Sequence, residues 1–346
     1  MTAAAPRTRS VSATAAKQKP RRLGRSISST LERLGLPILL IALVATFSLL
    51  RPDTFATVAN WRAIATSQSV LAIAAVALIF PLVAGRFDMS VGANVGICSV
   101  ATAGAMSNSQ LPLGAAIAVG VGLGVIIGIL NGVMVAYLGI NSIILTIGMS
   151  TVLGGLVFAY TQGIPIGTGL SPALTNLSTK LVGPIPDIFL IMVLVAVLAW
   201  AVLTQSTYGR RLMAVGSNET AASLTGLPIR RIVLLSFVAA GLLSGVAGVL
   251  QVATQGNGNP QVGGISFMLP ALAAVFLGAT TLVPGTYNVA GTILALFFVG
   301  AAVSGLTLIG AQSWITDVFN GGAVVVAVGL AAYFRRRRTG LANLGR

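Results

Sequence analysis

From residue 35 onward the chain alternates long apolar stretches with short polar ones. A helix needs about 20 mostly apolar residues to cross the hydrocarbon core of a bilayer. Stretches 35–50, 66–85, 89–107, 112–137, 143–161, 187–204, 232–253, 267–283, 288–309 and 315–334 meet or approach that length. Most are apolar on every side, so helical periodicity does not orient them against one another. The pattern predicts an all-α polytopic membrane protein with about ten transmembrane helices. Residues 1–34 are rich in Ala, Ser, Thr, Arg and Lys and hold no apolar core, the makeup of a disordered tail. No cleavable apolar stretch precedes Gly35, so a signal peptide is not expected. The organisation expected is a tail (1–34), a membrane domain (35–334) and a second basic tail (335–346).

Small residues mark how these helices pack. Gly120, Gly124, Gly128 and Gly132 recur every four residues and share one helix face, a pattern that lets two backbones approach closely. Gly241 and Gly245 repeat it further on. Pro81 and Pro270 lie inside apolar stretches, where each removes a backbone donor. Residues 72–92 and 271–291 align without a gap. Ala72, Ala74, Ala75, Val76, Leu78 and Gly92 match Ala271, Ala273, Ala274, Val275, Leu277 and Gly291, a weak trace of an internal repeat.

Composition fixes the solvent. Hydrophobic residues make up 55% of the chain and charged residues 8%, against about 25% charged in soluble domains. Lipid must replace water around most of the surface. The net charge of +15 is concentrated at the ends of the chain and in a few loops. With both termini in the cytoplasm and an even number of spans, every basic residue except Arg51, Arg62 and Lys180 falls on the cytoplasmic side, as the positive-inside rule requires. Basic residues that flank apolar stretches, without interleaved aromatics on a folded face, do not point to nucleic acid.

Chemistry is scarce. There is no histidine, and the single cysteine, Cys98, lies in an apolar stretch. No phosphate-binding G-x-x-x-x-G-K-[ST] loop occurs, so the chain cannot supply ATP binding by itself, and no cofactor or metal site is expected. Glu32, Asp53, Asp88, Asp187, Glu219 and Asp317 all fall in loops or near span ends. A stand-alone ion-coupled carrier ordinarily keeps such groups within the membrane.

Two polar segments stand out. Gly85-Arg86-Phe87-Asp88-Met89-Ser90-Val91-Gly92 joins the second and third spans, and either Asp88 or Ser90 can cap the helix that follows. The loop 205–231, between the sixth and seventh spans, carries Gly216 to Pro228. Ser217 or Asn218 can cap a short helix there, Glu219 suits its first turn, Ala221 and Ala222 favour it, and Gly226 with Pro228 ends it. Such a two-turn helix could lie on the membrane surface or dock on a soluble partner. Asn94 and Asn131 are polar groups inside spans. They are candidates to line a pathway, and interhelical hydrogen bonds explain them equally well.

These segments carry a resemblance. Residues 85–92, with Gly85, Asp88, Ser90 and Gly92, resemble the G-[IF]-D-L-S-V-G stretch of the ribose, xylose and arabinose ABC permease family. Glu219-Thr220-Ala221-Ala222 followed by Gly226 resembles that family's Glu-Ala-Ala loop. Gly128-Ile129-Leu130-Asn131-Gly132 and Gly278 to Gly285 are similar to further family segments, and the order is kept from about residue 64 to 333. Arg86 departs from the usual small residue, and Met89 replaces Leu. The resemblance implies a ten-span permease of the type II ABC importer kind in a bacterial plasma membrane. It implies a second permease copy, identical or related, cytoplasmic ABC ATPase subunits, and an extracytoplasmic binding protein that delivers the solute. Segment 217–226 would then be the coupling helix. The solute would be a monosaccharide-like compound. A branched-chain amino acid, a nucleoside or an autoinducer sugar stays open.

Overall fold

The computed structural model describes residues 24–312 and scattered positions between 314 and 329. Most of both expected tails, and parts of the stretch 315–334, lie outside the described residues. The helices are α1 (Gly24–Leu50), α2 (Val58–Val83), α3 (Val91–Ser107), α4 (Leu113–Ala136), α5 (Ser142–Thr161), α6 (Pro172–Thr175), α7 (Asp187–Gln205), α8 (Thr207–Ser217), α9 (Glu219–Leu224), α10 (Ile229–Gln255), α11 (Gly264–Gly278) and α12 (Val289–Leu308). A two-stranded antiparallel hairpin, β1 (Leu181–Val182) and β2 (Ile185–Pro186), pairs Leu181 with Pro186 and Val182 with Ile185 just before α7.

Helices begin where a polar side chain takes an unpaired backbone N–H. Thr57 Oγ1 accepts from Asn60 N at 3.2 Å ahead of α2. Asn141 Oδ1 accepts from Ile143 N at 3.0 Å ahead of α5, and Asn288 Oδ1 from Gly291 N at 2.6 Å ahead of α12. Gly256, at φ +66°, ends α10 in the left-handed conformation that suits glycine.

Among the described residues six helices are long and apolar enough to cross a membrane: α2, α4, α5, α7, α10 and α12. The apolar part of α1 (Leu34–Leu50), α3 and α11 are shorter apolar helices of 10–17 residues. At 1.5 Å per residue α11 is only about 22 Å long, less than the roughly 30 Å of the hydrocarbon core. α1 also begins ten residues earlier than its apolar part, at Gly24, so residues 24–34 of the expected tail are helical. Near the other end, α11 stops at Gly278 rather than 283. The chain turns there through Leu282, at φ +56°, and Gly285, at φ +85°.

α10 is the hub of the bundle and packs on α2, α3 and α4. Its seam with α4 is made of glycine. A Cβ at Gly128 would strike the carbonyl of Phe237, one at Gly124 the backbone of Gly241 and Gly245, and one at Gly241 the backbone of Gly124 and Gly128. The two stripes read from the sequence thus face each other. A second close approach joins the two short helices. A Cβ at Gly92 in α3 would strike the carbonyl of Gly264, and one at Gly96 the carbonyl of Val262. The non-helical segment 256–263 therefore runs down beside α3 before α11 starts. The two halves of the sequence repeat have the same local form: α2, a loop and α3 in one, α11, a loop and α12 in the other. α4, α5 and α7 keep large apolar side chains outward, among them Ile126, Ile144 and Leu194. That is the exterior lipid requires.

The seam makes a position-specific prediction. Leucine at Gly128 has no room, and overpacking of this kind costs about 3 kcal/mol. Nothing lies within 4 Å of a Cβ at Gly122, six residues earlier on the same helix. Gly128→Leu should lower the melting temperature of the detergent-purified protein by several degrees, and Gly122→Leu should leave it unchanged. Equal melting curves for the two variants would refute the seam.

Candidate functional site

The two segments singled out in the sequence meet at one end of the bundle. α2 ends at Val83, and Gly85, at φ +74°, turns the chain back. Gly216, near the end of α8, sits so close to the carbonyl of Val83 that any Cβ would overlap it. The loops 84–90 and 216–219 are therefore in backbone contact. An ion pair crosses the same junction: Arg86 Nη2 lies 2.7 Å from Glu219 Oε2. Arg86 is 34% exposed and Glu219 52%. A pair this wet contributes about 0–1 kcal/mol to stability. Its effect is to fix the position of α9 against the 85–90 loop.

That loop is stitched into three helices. Phe87 N donates to Ser142 Oγ at 3.1 Å, and Met89 N donates to Thr146 Oγ1 at 2.9 Å, both on the first turns of α5. Asp88 is buried. Its Oδ1 accepts from Ser90 N at 3.0 Å and from Ser90 Oγ at 2.6 Å. Ser90 Oγ in turn accepts from Asn131 Nδ2 of α4 at 2.8 Å. Ser90 occupies the N-cap position of α3 but gives no side-chain cap bond, so Asp88 supplies the turn and Ser90 relays it to α4. Burial pushes the Asp88 carboxyl above the usual carboxylate range, and the two Ser90 bonds pull it partly back. Gly92 serves the contact with Gly264 described above.

α9 is capped by Asn218, whose Oδ1 accepts from Ala221 N at 2.9 Å. Of the two cap candidates the structure selects Asn218. Ser217 closes α8 instead, with its hydroxyl donating to Ala214 O at 2.9 Å. Ala222 is buried against the bundle and Ala221 faces outward. Gly226, at φ +77°, takes the left-handed turn after the helix. Leu224 is 84% exposed at the tip of α9. α8 was not anticipated. Its Leu212 and Val215 are buried while Arg210, Arg211 and Met213 are exposed, an amphipathic spacing that could have revealed it.

Asn94 and Asn131 are buried and tie helices together. Asn94 Nδ2 reaches Gly124 O at 3.4 Å, and its Oδ1 accepts from Cys98 Sγ at 3.2 Å. Asn131 Oδ1 has no partner among the described residues. Neither residue lines the polar cleft that opens between α2, α10 and α11. The glutamines of that cleft, Gln251 and Gln255, went unremarked in the sequence, although two amides one helical turn apart in an apolar helix are a legible signal.

Residues 60–328 match the family model described as branched-chain amino acid transport system / permease component. The chain is 33% identical over 294 residues to the ribose import permease protein of Haemophilus influenzae, covering 84% of this chain and 90% of that one. It is 32% identical over 305 residues to the ribose import permease protein of Bacillus subtilis, covering 86% and 92%. The autoinducer 2 import system permease protein of Photorhabdus laumondii is 28% identical over 264 residues, covering 75% and 78%. No solved structure matches the chain. Its apolar spans and these relatives make it a multi-pass protein of the bacterial inner membrane. The match runs from α2 to beyond α12 and takes in both polar segments, so the chain belongs to the branched-chain amino acid transport system / permease component family.

Proposed function

We propose that this chain is the membrane-spanning subunit of an ATP-driven importer for a neutral, monosaccharide-like solute. The observation that carries the reading is α9: a capped short helix outside the bundle, with Leu224 84% exposed at its tip and Glu219 ion-paired to the 85–90 loop. An exposed leucine on a helix with its own N-cap suits a cleft on a soluble partner. That partner would be a cytoplasmic ATPase subunit, since the chain has no phosphate loop of its own. The distribution of basic residues favours α8 and α9 in the cytoplasm, both termini on the same side, and about ten spans. A second permease copy, identical or related, would complete the pathway, and a binding protein would deliver solute from outside. The ribose import permeases among the relatives support a pentose-like solute, and the autoinducer 2 permeases support a second sugar-like one.

The junction supplies a mechanical route. Movement of the ATPase displaces α9, Glu219 carries Arg86 with it, and Gly216 presses on the end of α2. The bonds from Phe87, Met89 and Ser90 pass the displacement to α5 and α4. Arg86, where the resembling family has a small residue, adds a side-chain strut to this contact.

Three measurements test the reading. Leu224→Asp should weaken co-purification of the ATPase and cut uptake about thirtyfold, the worth of one buried leucine at about 2 kcal/mol. Undiminished association would remove α9 from the docking surface. Glu219→Arg should lower the solute moved per ATP hydrolysed by about threefold, and the exchange Arg86→Glu with Glu219→Arg should restore most of it. An exchange no better than the single change would deny the strut. A cysteine at Thr220 should react with an impermeant thiol reagent in inside-out vesicles and stay unlabelled in intact cells. Labelling from outside would invert the topology.

A further inference from the structure

A cleft of about 490 Å³ opens between α2, α10 and α11, in the size range of small-molecule sites. It lies far from α9: Gln251 is about 30 Å along α10 from Arg231, and Leu71 is about 18 Å along α2 from Val83. One wall is the non-helical run before α11, which ends in Gly263 at φ +113° and Gly264 at φ +63°. Irregular backbone at membrane depth persists where it is buried in protein or lines a wet cavity. Gly92 and Gly96 of α3 hold this run in place, since a side chain on either would push it away.

The polar groups of the cleft are neutral. Gln251, Gln255 and Gln261 line it with hydroxyls from the same three helices, and no charged residue among the described ones does. Gln251 is only 8% exposed, yet its side-chain amide has no hydrogen-bond partner among the described residues. What exposure it keeps lies on the cleft side, so the amide is free to pair with whatever enters there, water or solute. Leu71, Phe267 and Pro270 provide an apolar surface beside the amides.

From this geometry we infer that the cleft is a solute site on the transport path, selecting an uncharged polyhydroxylated molecule. Amides both donate and accept, which matches hydroxyl groups. The apolar surface matches the C–H face of a sugar ring. An amino acid fits poorly: no carboxylate in the cleft offsets an α-amino group, and only the partial positive end of α11 meets a carboxyl. The inference rests on the importer reading and assigns the solute class to named residues.

The test uses intact cells carrying the assembled transporter, with uptake of labelled D-ribose and L-leucine as readouts. Cys98 is buried and is the chain's only thiol, so Gln261→Cys places a single reachable one in the cleft. An impermeant thiosulfonate reagent should cut ribose uptake at least about fivefold in Gln261→Cys, leave the unmodified chain unaffected, and react more slowly when ribose is present. Gln251→Leu should lower ribose moved per ATP hydrolysed by about fivefold, the worth of roughly one hydrogen bond. Should Gln251→Leu fail to reach the membrane, the exposed Gln261 position decides alone. Normal ribose uptake after full modification of Gln261→Cys, or in Gln251→Leu, overturns the cleft and leaves the importer reading standing. A parent transporter that moves leucine and not ribose overturns the solute class in both.

Discussion

In lipid, apolar side chains gain little by leaving one neighbour for another, so a helix bundle cannot be held by hydrophobic burial alone. What holds this one is direct backbone contact between α4 and α10. Gly124 and Gly128 lie against Gly241 and Gly245 with no side chain between them. The approach gathers dispersion contacts along the seam and fixes the register of the hub helix. α2 and α3 then pack on α10, and the loops at both ends of the bundle inherit their positions from it. The polar bonds are few and lie at junctions, where they orient rather than glue.

Two such junctions organise the molecule. At one end, Gly216 and Val83 set two loops in contact, and the Arg86–Glu219 pair registers α9 against them. Deeper in, Gly92 and Gly96 let the chain from Val262 to Gly264 descend beside α3. Residues 85–96 belong to both. A shift at α9 therefore reaches the start of α3 through one short stretch of covalent chain, and the start of α3 borders the segment that walls the amide-lined cleft. Distance between the two ends is bridged by a single glycine turn and a short helix.

Much of this was legible beforehand, and the misses share a cause. The positions of the apolar helices follow from length and hydropathy, and the α4 stripe from a four-residue spacing. The cap of α9 was narrowed to Ser217 or Asn218 by side-chain chemistry, and geometry chose between them. What escaped was set by contacts distant in sequence. Arg86 and Glu219 are 133 positions apart, and nothing local in either loop announces the pair. α3 and α11 are shorter than the stretches 89–107 and 267–283, because an apolar stretch does not reveal where non-helical backbone will be sheltered by a neighbour. Asn94 and Asn131 lie in α3 and α4, and helices apolar all round give no sign of which face turns inward. Both make interhelical bonds, one of the two roles their chemistry offered: Asn94 to the Gly124 carbonyl of α4 and Asn131 to the cap residue of α3.

The bare tip of α9 has a bearing on how cells make this protein. On the proposed docking, Leu224 presents a greasy knob to the aqueous phase on every copy that has not met the ATPase. Surplus chains would offer that knob to one another and to the machinery that removes misassembled subunits. Synthesis in step with the proposed ATPase partner would avoid the hazard, so the docking carries with it a demand for balanced output of the two polypeptides.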